Sequence, residues 1–364
     1  ETDGVTVDQV AAISVNRVGT DASTAGEADT AAQEDLFTGN NGNIVLSAGS
    51  LTLEGGSDTT ALTATGTGNV LLKTTTGSIN LNDALNGGTG HISLDAKTDI
   101  NQNANVSTAG SSTLDFLAQD GDITMSDSAV ASTNGGDISF DAGADIAVGS
   151  ISSSGDSMGN IRLNASGSIT DAGDTNRDIV GSGLLITAGT GIGSSVNSLE
   201  TSIASLSSSS GAGGSNLSDA DAITITSVTV DTNRVGMDGT IGAQQSSQQG
   251  ITGTSGDIDF IVETASITID ADINLTGSGN IVLTATAGSI TMGSSTSAGT
   301  TSGYIHFTAD QGGITSNDLT TTGGEIVISA QDDITLNNGT TSGGAGQVSV
   351  TSSAGNITVA SALD

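Results

Sequence analysis

The stretch GSGNIVLTATAGSITMG, residues 277–293, decides the fold. It states one pattern twice. A glycine and a polar residue lead into apolar residues one apart, Ile281 and Leu283, and after a small break Gly288 and Ser289 lead into Ile290 and Met292. Alternation at period two predicts a strand with one buried face. Two such strands joined by a short small-residue corner form two sides of a coil, provided that the unit recurs.

It recurs along the whole chain. The first half starts at Gly42, Gly68, Gly90, Ser112, Gly136, Gly159 and Ser182, and again at Gly256, Gly279, Gly303, Gly324 and Gly346, at spacings of 21 to 26 residues. The second half follows as GSINL at 77, GDITM at 121, GSITD at 167, GSITM at 288 and GNITV at 355. Many copies carry a weaker third segment, such as NVSTAG (105–110) or DLTTTGG (318–324). Three short strands per repeat, punctuated by Gly, Asn and Asp, predict an all-β fold, a parallel β-solenoid with one coil per repeat. A β-sandwich would not return the same side chain at the same phase, because its strands differ in environment.

Coils stacked ~4.8 Å apart turn equivalent positions into columns. About thirteen coils then make a rod ~60 Å long. The third and fifth motif positions are apolar in all twelve copies, and Phe116, Phe140, Phe260 and Phe307 occupy the fifth, so these four rings are expected to share one structural core column. The seventh position is Ala in nine of the twelve, as a cramped inner corner requires.

Composition agrees. The 364 residues include 53 Gly but no Pro, Cys or Trp, and 34% are hydrophobic, enough for a thin core. Low hydrophobicity with high charge also occurs in disordered chains. The even scatter of Ile, Val and Thr favours strands instead, and the absence of Pro suits a backbone whose N–H groups are wanted in ladders. Six basic residues face forty acidic ones, a formal net charge of −34. That balance disfavours nucleic acid and anionic membranes as partners. No run is long and apolar enough for a membrane span, and the opening ETDGVTVDQV does not read as a signal peptide. Without Cys there are no disulfides or thiolate metal sites.

A longer period overlies the coils. VTVDQVAAISVNRVG (5–19) matches ITITSVTVDTNRVG (223–236), and Gly42 returns as Gly256, 214 residues on. Residues 1–41 therefore read as the end of a preceding module with a loop insertion. Residues 42–255 form one module of eight coils, and 256–364 the first five coils of the next. Leu199, Ile203 and Leu206 lie at helical spacing and predict a short helix within 197–211. The polar stretches 20–41 and 237–255, each following NRVG, read as protruding loops. Neither end carries a polar cap, so the array is expected to continue.

Tandem GxIxLxAxxGDIT coils, together with the element GIGSSVNSLETSIASLSSSSGAGGSNLSDADAITI (191–225), resemble the filamentous-haemagglutinin-like large exoproteins of bacteria. The resemblance covers nearly the whole chain as a pattern. It implies a right-handed parallel β-helix, an extracellular or cell-surface location, and work as an adhesin, matrix fibre or surface filament. The expected partners are further modules or copies of the chain itself, in a filament and in lateral bundles that touch through 20–41 and 237–255, and cell-surface or matrix carbohydrate if the segment is adhesive.

The residues offer little chemistry. A polysaccharide-active β-helix enzyme would need Asp clusters with Arg or Lys on one sheet. Here Arg17, Lys73, Lys97, Arg162, Arg177 and Arg234 are spread along the length, and His91 and His306 form no pair, so the chain reads as non-catalytic. Calcium is the one cofactor considered, as in a calcium-dependent adhesin. Asp outnumbers Glu 33 to 7, with Asp99, Asp122, Asp137, Asp145, Asp257 and Asp333 at coil corners. Turn preference and solubility are the preferred account of those corners. The tightest clusters, DAGDTNRD (171–178) and SDADA (218–222), make Asp171, Asp174, Asp178, Asp219 and Asp221 the candidate ligands. Thr268, Thr291, Thr315, Thr335 and Thr358 form a single outward column, where ice binding needs two. Arg17 and Arg234 of the NRVG signature are read as structural, each pinning its following segment through a carboxylate.

Overall fold

The computed structural model describes residues 3–12, 14–28, 34–173, 176–344 and 346–360. These residues build an all-β solenoid of about 14 turns, without a helix. Each coil of the first module places one long strand on one face and two short strands on the other. In the coil that opens at Gly68 these are Val70–Thr74, Ile79–Leu81 and Ala84–Asn86. The strands of the coils pair in parallel with their counterparts one coil away, in the register the repeat predicts: Val70↔Ile92, Leu72↔Leu94, then Ile92↔Leu114 and Leu94↔Phe116.

The core is a stack of Ile, Leu, Val, Phe and Ala, nearly all fully buried. The seventh-position alanines fill the inner corner, with Ala96 and Ala118 wholly buried. Close approach of coils explains the leading glycine of the repeat. A Cβ on Gly136 would fall well inside contact distance of the Ser112 carbonyl oxygen one coil below.

The module boundary departs from simple stacking. Ser205–Ser210, the last long strand on its face, is covered by two short strands, with Leu206 opposite Ile225 and Ser208 opposite Ile251. On the other face, Gly214–Asp219 covers the two short strands Gly191–Ile192 and Leu199–Ser202, and is followed by Ile258–Val262. The long strands therefore change face. The single expected phenylalanine column is two columns on opposite faces: Phe116 and Phe140 stack with ring centroids 4.4 Å apart on one, while Phe260 and Phe307 flank Leu283 on the other. A strand needs only a partner of matching hydrogen-bonding length, and two short strands serve as well as one long one.

The predicted helix within 197–211 is two strands, Leu199–Ser202 and Ser205–Ser210. Leu199, Ile203 and Leu206 are buried, but Thr201 is buried between the first two at period two. Their spacing reflects two strands joined by a corner, and open strand edges on neighbouring coils outweigh any local helical preference.

The predicted loops are also strands. Within 237–255, Ile241–Gln249 pairs antiparallel with Ser227–Val235, and Ile251–Gly253 returns to the solenoid. Within 20–41, Thr24–Ala28 pairs antiparallel with Ser14–Val18, and Leu36–Thr38 returns to it. Each hairpin is thus inserted between two short strands of one coil side.

Candidate functional site

The corner aspartates serve the backbone first. Asp99 Oδ1 accepts a hydrogen bond from Asp122 N (3.1 Å), Asp122 Oδ1 from Asp145 N (2.9 Å), and Asp145 Oδ1 from Ser168 N (2.6 Å). Asp137, Asp257 and Asp333 do the same for Asn160, Asn280 and Asn356. Each carboxylate satisfies a corner N–H that the ladder leaves over, as a short polar side chain does at a turn.

The second hairpin folds back over the first module. Asn160 Nδ2 donates to Thr229 O (2.8 Å), Asp231 N to Asp137 Oδ2 (2.7 Å), Asn233 N to Thr113 Oγ1 (3.0 Å), and Val235 N to Ser93 Oγ (2.9 Å). The turn carbonyl of Gly239 accepts from Asn69 Nδ2 (3.0 Å) and Asn43 Nδ2 (3.3 Å), and Thr187 Oγ1 donates to Gln248 Oε1 (3.1 Å). One contact falls on each of the seven coils from Gly42 to Ser182. Two hairpin residues per coil span ~6.7 Å of strand against a ~4.8 Å step, so the hairpin crosses the coils obliquely. Val228 and Val230 pack on Leu185, and Val235 is 2% exposed. Arg234 grips Asp115 with two hydrogen bonds, Nε to Oδ2 (2.6 Å) and Nη2 to Oδ1 (3.1 Å). Lys73, Lys97 and Arg162 pair with Asp95, Asp120 and Asp141 on adjacent coils. Arg17 lies in the first hairpin, on Ser14–Val18.

One group of carboxylates is of another kind. Asp171 ends the strand Ile169–Asp171 and points inward, continuing a column held in earlier coils by Leu81, Gln102, Met125 and Val148. Asp178, seven residues on in the same coil, faces Glu200 of the next coil, with Asp178 N bonded to Glu200 O and Glu200 N to Asp178 Oδ2, both at 3.0 Å. One carboxylate oxygen from each of Asp171, Asp178 and Glu200 lies within 4.8 Å of the others. Burial, reinforced by the neighbouring carboxylates, pushes Asp178 up to about 8, and burial together with Asp171 raises Glu200. Three carboxylates this close hold a proton or a cation near neutral pH, because burial and like-charge repulsion both oppose full ionisation.

Of the five predicted ligands, the fold brings Asp171 and Asp178 together, and Asp174 lies outside the described residues. Asp219 and Asp221 form a separate turn. Asp219 Oδ2 accepts from Thr201 Oγ1 (2.6 Å) and Ile203 N (3.2 Å), and its Oδ1 from Asp221 N (2.8 Å), so both oxygens are occupied. Glu200 was not foreseen, although it is the sole glutamate between Glu54 and Glu263. The clearest sequence signal was GSITD at 167, a carboxylate where sibling coils have Leu, Met or Val.

No helix among the described residues is long and apolar enough to cross a membrane. Neither a protein-family model, nor a curated protein, nor a solved structure matches the chain.

Proposed function

We propose that the chain is a non-catalytic, load-bearing segment of a large repetitive adhesin or filament at a bacterial cell surface. The observation that carries this reading is the back-folded hairpin, which ties seven coils together across their outward face. A solenoid coil touches only its neighbours, so a stack of coils can peel from one side. A clamp across the stack makes many coils yield together, which suits a rod under tension and gives a catalyst nothing.

The first hairpin supports a repeating device. It enters between Gly4–Val7 and Leu36–Thr38 as the second enters between Ile223–Ile225 and Ile251–Gly253. Val18, the counterpart of Val235, is 66% exposed. In the proposed filament this hairpin clamps the long-strand face of an adjoining module of the same kind. The net charge of −34 keeps such rods apart laterally and soluble.

Electron microscopy of the native assembly, labelled with antibodies to this segment, tests the reading. Thin continuous filaments carrying label at a regular axial interval are expected, with one module advancing ~40 Å. Labelled particles that are isolated and globular overturn it.

A further inference from the structure

We propose that Asp171, Asp178 and Glu200 form a binding site for one calcium ion. The argument rests on unmatched oxygens, not on acidity. Asp171 Oδ1 accepts from Gly173 N (2.8 Å), Asp178 Oδ2 from Glu200 N (3.0 Å), and Glu200 Oε1 from Ser198 Oγ (3.4 Å). Asp171 Oδ2 and Glu200 Oε2 are buried without any hydrogen-bond partner, and Asp171 as a whole is only 9% exposed. Buried carboxylate oxygens are costly unless paired. No Lys, Arg or His among the described residues pairs with any of the three, whereas Asp95, Asp115, Asp120 and Asp141 each have a basic partner.

The donor set selects the ion. Three carboxylates and no nitrogen or sulfur suit a hard cation. Oxygens on opposite sides of a calcium ion stand ~4.8 Å apart, given Ca–O distances of ~2.4 Å, whereas magnesium demands shorter bonds and keeps most of its water. The observed oxygens, all within 4.8 Å of one another, can share one ion, and three protein carboxylates at an irregular corner suit calcium's flexible coordination better than magnesium's strict octahedron. The position is informative too. Asp171 brings a charge into an otherwise uncharged column, so a bound cation there would tie the coil of Asp171 and Asp178 to the next, that of Glu200, from the inside while the hairpin ties them from the outside.

The test uses the full chain, stripped with chelator and held at ~0.15 M KCl so that its diffuse charge is screened. Calorimetric titration with calcium chloride should show one saturable site per chain. Calcium at ~1 mM should raise the melting temperature more than magnesium at the same concentration or KCl at matched ionic strength. Glu200→Gln and Asp171→Asn should each weaken binding ~10-fold or more. In the stripped state both should melt no lower than the wild type, since each removes a crowded charge. Should either fail to fold, Asp178→Asn serves in its place, with the exposed Asp310→Asn as the variant that must still bind. Three results overturn the proposal: no saturable site, unchanged affinity in the folded variants, or equal stabilisation by calcium and by matched KCl. The last would mean that a shared proton alone resolves the crowding.

Discussion

Removing Arg234 should loosen the hairpin more than removing its partner. Asp115 presents a side chain only 3% exposed, whereas that of Arg234 is 35% exposed. In Arg234→Ala the carboxylate stays behind, desolvated and without its two charge-assisted donors. A charged group orphaned in this way costs about 2–3 kcal/mol. In Asp115→Ala the guanidinium can turn toward water, and the loss is nearer that of a half-exposed ion pair, about 1 kcal/mol. Neither change should detach the hairpin outright, because Val228, Val230 and Val235 remain buried and the contacts on the other coils persist. Native-state hydrogen exchange is the suitable assay, since it reads local opening in a chain whose many coils need not unfold as one unit. Amides of Ser227–Val235 should exchange ~30-fold faster in Arg234→Ala, corresponding to about 2 kcal/mol, and ~5-fold faster in Asp115→Ala. The double variant should exchange at close to the rate of Asp115→Ala, because removing the carboxylate as well relieves the orphaned charge. Equal rates in wild type and Arg234→Ala would refute the clamp. A larger effect of Asp115→Ala would show that the carboxylate does something other than hold Arg234.

Two further outcomes follow from the packing and the buried charges. Gly136→Ala should destabilise by about 1–3 kcal/mol, because the added carbon meets the Ser112 carbonyl of the coil below, while Gly242→Ala, with nothing within 4 Å, should be neutral or mildly stabilising; thermal melting of the two variants distinguishes them. Burial raises Asp219 from 3.8 to about 6 against the pull of its Thr201, Ile203 and Asp221 hydrogen bonds, so the folded chain holds this proton longer than the unfolded one. Its contribution is fully present below about pH 4 and is lost as the pH rises to about 6, a decline of at most roughly 3 kcal/mol that should be missing from the pH–stability curve of Asp219→Asn.

What the sequence settled by itself is whatever depends on one coil and its nearest neighbour. Period-two alternation declares the strands, the ~23-residue return declares the stack, and the register follows because a slip of one residue would carry Ile92 and Leu94 out of the core. The leading glycine and the corner alanine are legible for the same reason, since each answers to a contact one coil away. Even the odd carboxylate at Asp171 stands out against Leu81, Met125 and Val148. Contacts that skip coils are not written in that period. Asp115 meets Arg234 across 119 residues only because the hairpin turns back along the solenoid, and even one coil away Glu200 meets Asp171 and Asp178 only through an irregular corner outside the repeat. The change of face at the module boundary is equally hidden: a repeat records which strand type recurs, while hydrogen-bonding length decides which face it joins. The four- and three-residue spacings of Leu199, Ile203 and Leu206 likewise acquire their meaning from neighbouring strand edges, which a sequence read in isolation does not contain.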